Sequence, residues 1–213
     1  MANQIKEDVC FVSQAFDQDL ERVWKGGSKD RRKVDHSTVV DYILPDYEDI
    51  KEGFARPHDP SMNARKRQLG IGGGPREDLV VLANERFTVP ELIFTPSDIG
   101  MQSEGIVGTI LQSLTALPEG LRQAFLANVL VVGGTSKLPG FVERLESDLR
   151  SRLSDDVILR VQQAEDPVKN VWLGGARLAQ NEDVMKQLVV SREEYMENGD
   201  TWVRRKFAGK VGR

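Results

Sequence analysis

The chain has one cysteine and two histidines among its 213 residues. A single thiol cannot close an internal disulfide, and no cysteine–histidine cluster shows metal-ligand spacing. This excludes a disulfide scaffold and a zinc-finger module, and a reducing compartment, cytosol or nucleus, is the expectation. Long apolar runs are also missing. Stretches such as Val129-Leu130-Val131-Val132 fall far short of the roughly 20 residues that a bilayer crossing needs. The opening MANQIKEDVC has no basic flank followed by an apolar stretch, so no secretory signal is expected. Neither sign of charge dominates. The 29 basic and 33 acidic side chains leave a formal charge of −4, which argues against a uniformly basic nucleic-acid-binding domain. What is present, 39% hydrophobic residues and 19 glycines, is the composition of a folded chain able to bury a core.

Periodicity predicts an α/β chain. Ile5, Val9, Val12, Phe16, Leu20 and Val23 recur at steps of three and four, which predicts one continuous amphipathic helix. Residues 25–35, KGGSKDRRKVD, read as a loop, and Val39 to Leu44 as a strand stopped by Pro45-Asp46. Residues 47–77 combine prolines, a triple glycine and Arg65-Lys66-Arg67 with few large apolar side chains, and read as a flexible insertion. Leu79 to Leu82 restores strand character. Beyond Gly100 the elements alternate. Helices are predicted through Ile106 to Leu117 and Pro118 to Leu126, then a buried-type strand from Val129 to Val132. A helix bearing Phe141, Leu145, Leu149 and Leu153, a strand from Val157 to Val161 and a helix from Val171 to Gln180 follow. Ser191 and Glu194 fit a capping box, and Gly199 suits the left-handed residue that closes such a helix.

The strongest chemical motif is the strand running into Gly133-Gly134-Thr135-Ser136. Without β-carbons, the backbone there can approach a ligand, and a following helix would add free N–H groups and a positive dipole end. A tight strand-to-helix turn needing φ > 0 explains the same glycines, and the spacing alone leaves both readings open. In Val171-Trp172-Leu173-Gly174-Gly175-Ala176, two helical glycines point to close packing rather than chemistry. Catalytic groups are scarce. His36 and His58 fall in loops, so neither reads as a held general base. Cys10 lies beside the apolar stripe and reads as a small hydrophobe. Asp17, Asp19 and Glu21 point in different directions on a helix and read as a solvated face. The basic runs at Lys29 to Lys33 and Arg65 to Arg67 could touch phosphate or direct nuclear import, with solvated loop charge as the plainer reading.

Four blocks resemble actin, in actin's order: residues 5–12 (IKEDVCFV), 84–94 (NERFTVPELIF), 132–141 (VGGTSKLPGF) and 171–176 (VWLGGA). The likeness is to the second half of an actin-like fold of the actin, Hsp70 and sugar-kinase superfamily, incomplete and carrying an insertion. Residues 42–47 (YILPDY) with the long insertion after them, residues 95–100 (TPSDIG) and residues 189–199 (VVSREEYMENG) are closer to a chromatin-associated branch of the actin-related proteins. The resemblance divides the chain into a second-lobe helix (1–24), a loop (25–38) and a strand with a flexible insertion at a hairpin tip (39–78). The second-lobe core with the glycine turn (79–165) and C-terminal helices returning toward the first lobe (166–213) complete it.

The resemblance implies an ATP cleft, with Lys6, Glu7, Gly133, Gly134, Thr135 and Lys137 on the adenosine side. Lys137 and Leu138 replace actin's Met-Tyr pair, and Val168 replaces a lysine, although Lys169 is adjacent. Loss of each contact should weaken nucleotide binding by about 1 kcal/mol. Actin's phosphate hairpins, metal-binding aspartate and water-positioning groups belong to its first half. The resemblance therefore implies a non-catalytic chain with no metal site, holding ATP weakly or not at all. It further implies a scaffold subunit of a SWR1-type chromatin-remodelling complex that exchanges histone H2A.Z. The implied partners are the remodeller ATPase and a small zinc-containing subunit, with nucleosome contact indirect or through basic loops. No membrane and no small-molecule substrate are expected, and the compartment is the nucleus, with the cytoplasm second. The alternative is an actin-like cytoskeletal ATPase that polymerises.

Overall fold

A computed structural model describes residues 1–24, 35–59 and 78–208. The basic runs at Lys29–Lys33 and Arg65–Arg67 lie outside the described residues. The chain divides into two units, residues 1–164 and 165–213.

The predicted first helix is two helices, α1 (Ala2–Val9) and α2 (Phe16–Val23), separated by extended chain. The apolar spacing runs through both, but the intervening backbone finds partners elsewhere. The N–H of Phe11 donates to the Arg86 carbonyl at 3.0 Å and that of Val12 to the Pro139 carbonyl at 2.8 Å. Ser13 completes the break: its hydroxyl accepts from the Ala15 N–H and donates to Asp19 Oδ2 at 2.6 Å, a local arrangement that competes with helix. Val12 is thereby carried into the core.

A three-stranded antiparallel sheet follows, in the order β2 (Phe54–Pro57), β1 (Val40–Ile43), β3 (Leu79–Leu82). The β1–β3 pair is the hairpin that carries the insertion, and the Leu44 N–H closes its base on the Asp78 carbonyl at 2.8 Å. Part of the segment read as flexible is ordered. Phe54–Pro57 pairs with β1 over four residues, Val40 with Pro57 through Ile43 with Phe54. The strand carries little signal in the sequence, because a Pro-terminated strand of four residues shows little apolar alternation.

Tyr42 of β1 is fully buried and packs against Gly53, where a Cβ would lie 2.6 Å from the ring. Its hydroxyl donates to Asp8 Oδ2 at 2.7 Å. Burial first, then the bond to Asp8 and its charge, push the phenol from 10.0 up to about 12. Because the folded value lies above the unfolded one, the contribution of the neutral phenol is complete below pH 10 and is lost as pH rises from 10 toward 12. In urea unfolding, Tyr42→Phe should be less stable than the parent by about 2 kcal/mol below that interval. The gap should narrow across it; a gap independent of pH would contradict this.

Helix α3 (Glu85–Glu91) leads through a short 3₁₀ turn (Pro96–Ile99) to α4 (Ile106–Thr115) and α5 (Glu119–Leu126). Strand β4 (Val129–Val131) then pairs in parallel with β5 (Val161–Gln163), joined by crossover helix α6 (Phe141–Ser151). The second strand begins at Val161, not at Val157. Residues 154–157 form a turn closed by the Val157 N–H on the Ser154 carbonyl. Leu145 and Leu149 of α6 are completely enclosed, packed with Val12, Phe94, Val107, Leu138, Phe141 and Val161. The strand expected to be buried is not: Leu130 is 57% exposed and Val132 40%. Side chains alternate across a strand. Val129 and Val131 pack against the core, so Leu130 takes the opposite face.

Beneath this core Arg144 of α6 meets Glu91, which is 2% exposed, through both carboxylate oxygens at 3.1 and 3.0 Å. The same guanidinium donates to Asp148 Oδ2 and to the Ser13 carbonyl, and lies 5.2 Å from the Phe94 ring centroid. Burial alone would lower its pKa, but hydrogen bonds and charge from Glu91, then Asp148, hold it raised.

The second unit contains α7 (Asn170–Ala179), α8 (Glu182–Leu188) and α9 (Arg192–Phe207). Ser191 and Glu194 form the expected reciprocal cap, and Gly199, at φ 71°, ends the first helical run before a second continues to Phe207. The packing expected at Gly174 and Gly175 is not made by described residues: a Cβ on either would meet nothing within 4 Å.

Candidate nucleotide-facing turn

Val129–Val131 forms β4 because its residues are β-branched or long aliphatics, and Val132 leads out of it to the glycines. The chain leaves it through Gly133, whose φ of 99° requires glycine, and enters a 3₁₀ turn, Gly134–Lys137. The two glycines differ in conformation. Gly133 serves the turn. Gly134 lacks a positive φ, and a β-carbon on it would meet none of the described residues within 4 Å, so its backbone lies open to an approaching ligand.

The long helix does not follow directly, as the sequence reading expected. Leu138-Pro139-Gly140 intervenes before α6, because proline holds the preceding Leu138 extended, at ψ 127°, and Gly140 turns the chain at φ 81°. The dipole end of α6 is therefore displaced from the glycine pair. Thr135 and Lys137 are exposed. Leu138, in the place of an actin contact residue, is buried in the core instead.

The turn is braced from behind by contacts that the motif's spacing does not show, one of them from Ser136 within the motif and one from Gln163 outside it. Ser136 is buried, and its hydroxyl donates to the Gly133 carbonyl at 2.8 Å. The Gln163 amide, at the end of β5, donates to the Ser136 carbonyl at 2.5 Å and reaches its hydroxyl at 3.1 Å. Only the parallel pairing of β4 with β5 brings Gln163 there, which is why spacing gave no sign of it.

Lys6 and Glu7 sit in the last turns of α1 and diverge, as successive helical residues must. Lys6 lines a mostly apolar cavity of about 320 Å³ with Ile5, Val9, Cys10, Leu82 and Val89, whereas Glu7 is exposed. Among the described residues no hydrogen bond or ion pair joins either of them to Gly133, Gly134, Thr135 or Lys137. The Cys10 thiol in that cavity is half-buried, and burial pushes it up against the opposing influence of Arg86 and Lys6. Among the described residues no three His, Cys, Asp or Glu groups gather to hold a metal ion, and no helix is long and apolar enough to cross a membrane.

One loop residue is held after all. His58 follows β2, and its Nδ1 lies 2.7 Å from Oδ1 of Asp41, which is completely buried. A histidine anchored by a buried carboxylate had no signal in the sequence, since the pairing depends on the register of β1 with β2.

A family profile described as Actin matches residues 1–208. The actin-like protein arp6 of Emericella nidulans is 54% identical over 98% of this chain and 45% of its own length. Actin-related protein 6 of Neurospora crassa is 43% identical over 100% of the chain and 47% of its own length, and that of Drosophila melanogaster 39% over 93% and 46%. The chain thus spans about half the length of the curated relatives it matches. With the ordered sequence blocks, the β1–β3 hairpin and the braced glycine turn, these matches place the chain in the actin family, among relatives named actin-related protein 6.

Proposed function

We propose that the chain works by docking, as a non-catalytic scaffold subunit of a SWR1-type chromatin-remodelling complex that exchanges H2A.Z in the nucleus. The observation that carries this reading is the insertion between β1 and β3, whose base is pinned by the Leu44–Asp78 bond while β2 adds to the sheet. An insertion rooted in a rigid sheet costs little closure entropy and offers a partner surface without disturbing the core. The matches to proteins named actin-related protein 6 support the family side of this reading, and the remodeller ATPase and a small zinc-containing subunit are the partners it proposes.

ATP, where held, would meet this chain on its adenosine side. Gly133, Gly134 and Thr135 would approach the base and ribose through backbone, with Lys6, Glu7 and Lys137 contributing charge. Bound ATP would supply a phosphoanhydride whose hydrolysis needs metal and phosphate donors. The open face of Gly134 fits such a group. The chain's residues toward it bind and orient, and none is assigned a proton-transfer role.

Strands β2 and β3 both run antiparallel to β1, so the connection between them is a crossover and cannot be cut to nothing. Replacing residues 60–77 with a Gly/Ser linker of about a dozen residues keeps β2 and the His58–Asp41 contact. In cell extracts, the tagged variant should unfold at the parent's temperature yet lose the remodeller ATPase from its pull-down. Undiminished recovery would remove this role from the insertion.

A further inference from the structure

At the root of the insertion, β2 and the segment 36–40 flank an open recess of about 470 Å³. His36, Arg56, His58 and Arg86 supply its polar wall and Val40 and Pro57 part of its apolar wall; among the described residues no acidic one lines it. Arg86 of α3 is half-buried. Its Nε donates to the Val9 carbonyl at 2.9 Å, its Nη1 donates to the Thr38 carbonyl, and its guanidinium carbon lies 5.2 Å from the Phe11 ring centroid. The bond to Thr38 sets the guanidinium against the 36–40 wall. All these partners are neutral, and among the described residues no carboxylate lies within ion-pair distance of Arg86. Burial accordingly lowers its pKa. A half-buried cation without a counter-charge has lost part of its hydration, a cost that an arriving anion would relieve.

The two imidazoles complete the arrangement. Asp41 fixes the His58 ring through Nδ1, and the His36 ring centroid lies 6.3 Å from that of His58. Asp41 is fully buried and does not line the cavity.

We propose that this cavity receives an acidic side chain of a partner polypeptide, its carboxylate set against the Arg86 guanidinium with His36 and His58 beside it. Guanidinium–carboxylate bonds are charge-assisted and geometrically selective. The recess sets Val39, Val40, Ala55 and Pro57 beside its cations, which suits a side chain with a methylene stem and a charged end. A nucleic-acid backbone instead follows a row of exposed cations. The inference stands whether or not the chain joins a remodeller, because it rests on the described residues alone.

The chain contains only two histidines, so ¹³C-labelled imidazoles report on this cavity alone. Titrating the full 213-residue chain with an acetylated hexaglutamate peptide should shift both rings saturably. Arg86→Gln should weaken binding about fivefold or more. Since Arg86 also ties Val9 and Thr38, His36→Gln serves as the second variant. His36 is exposed, and its change should weaken binding, read from His58, with thermal unfolding unmoved. Rings that do not respond, or His36→Gln binding as tightly as the parent, would overturn the proposal. So would a response to inorganic phosphate or a short DNA duplex as strong as that to the peptide.

Discussion

Replacing Glu91 with alanine should destabilise the first unit by about 3–5 kcal/mol, enough to leave much of it unfolded at 37 °C. The size follows from what remains behind. Arg144 would keep its place among Phe94, the Ser13 carbonyl and Asp148, but would lose both bonds to the one carboxylate buried beside it. Thr95 would also lose its hydroxyl's acceptor, Glu91 Oε1 at 3.0 Å. Removing one member of a buried pair costs more than the pair contributes, because the survivor is stranded out of water. Joint replacement by Glu91→Leu and Arg144→Met should therefore cost less than Glu91→Ala alone. Urea unfolding of the three variants checks this; a double replacement worse than the single one would contradict it.

Leu149→Ala should cost about 2–5 kcal/mol in the same measurement. Leu149 has no exposed surface and sits where α6 packs against β5. Its loss removes the transfer energy of the side chain and leaves a void that the βαβ unit, closed by parallel pairing, cannot collapse around. Leu130→Ala, on the exposed face of β4, should cost less than about 0.5 kcal/mol. Equal losses at the two leucines would contradict the assigned faces of the unit.

What could be read from the sequence was whatever local chemistry dictates. The four-residue steps of Phe141, Leu145 and Leu149 gave α6, Ser191 and Glu194 gave the last cap, and the glycines after Val132 gave the turn. The errors share a cause: each was decided by a partner distant in the chain. Ile5 to Val23 keeps helical spacing, yet bonds to Arg86 and Pro139 pull its middle out of helix. Phe54–Pro57 is a strand only because β1 lies beside it, and His58 is held only because that register presents Asp41. The apolar run of β4 announced burial, but in the described residues its sheet has two strands and one covered face. At the candidate site, glycine positions were legible while the bracing by Ser136 and Gln163 was not. The divergence of Lys6 from Glu7 follows from helix geometry, but the cavity that Lys6 lines is made by β3 and α3.

The sharpest discrimination between docking and catalysis is steady-state release of inorganic phosphate from ATP and Mg²⁺ by the purified 213-residue chain. Docking without phosphoryl transfer predicts release no faster than in protein-free buffer at every chain concentration. Release that rises in proportion to the chain, and disappears on its heat denaturation, would contradict it.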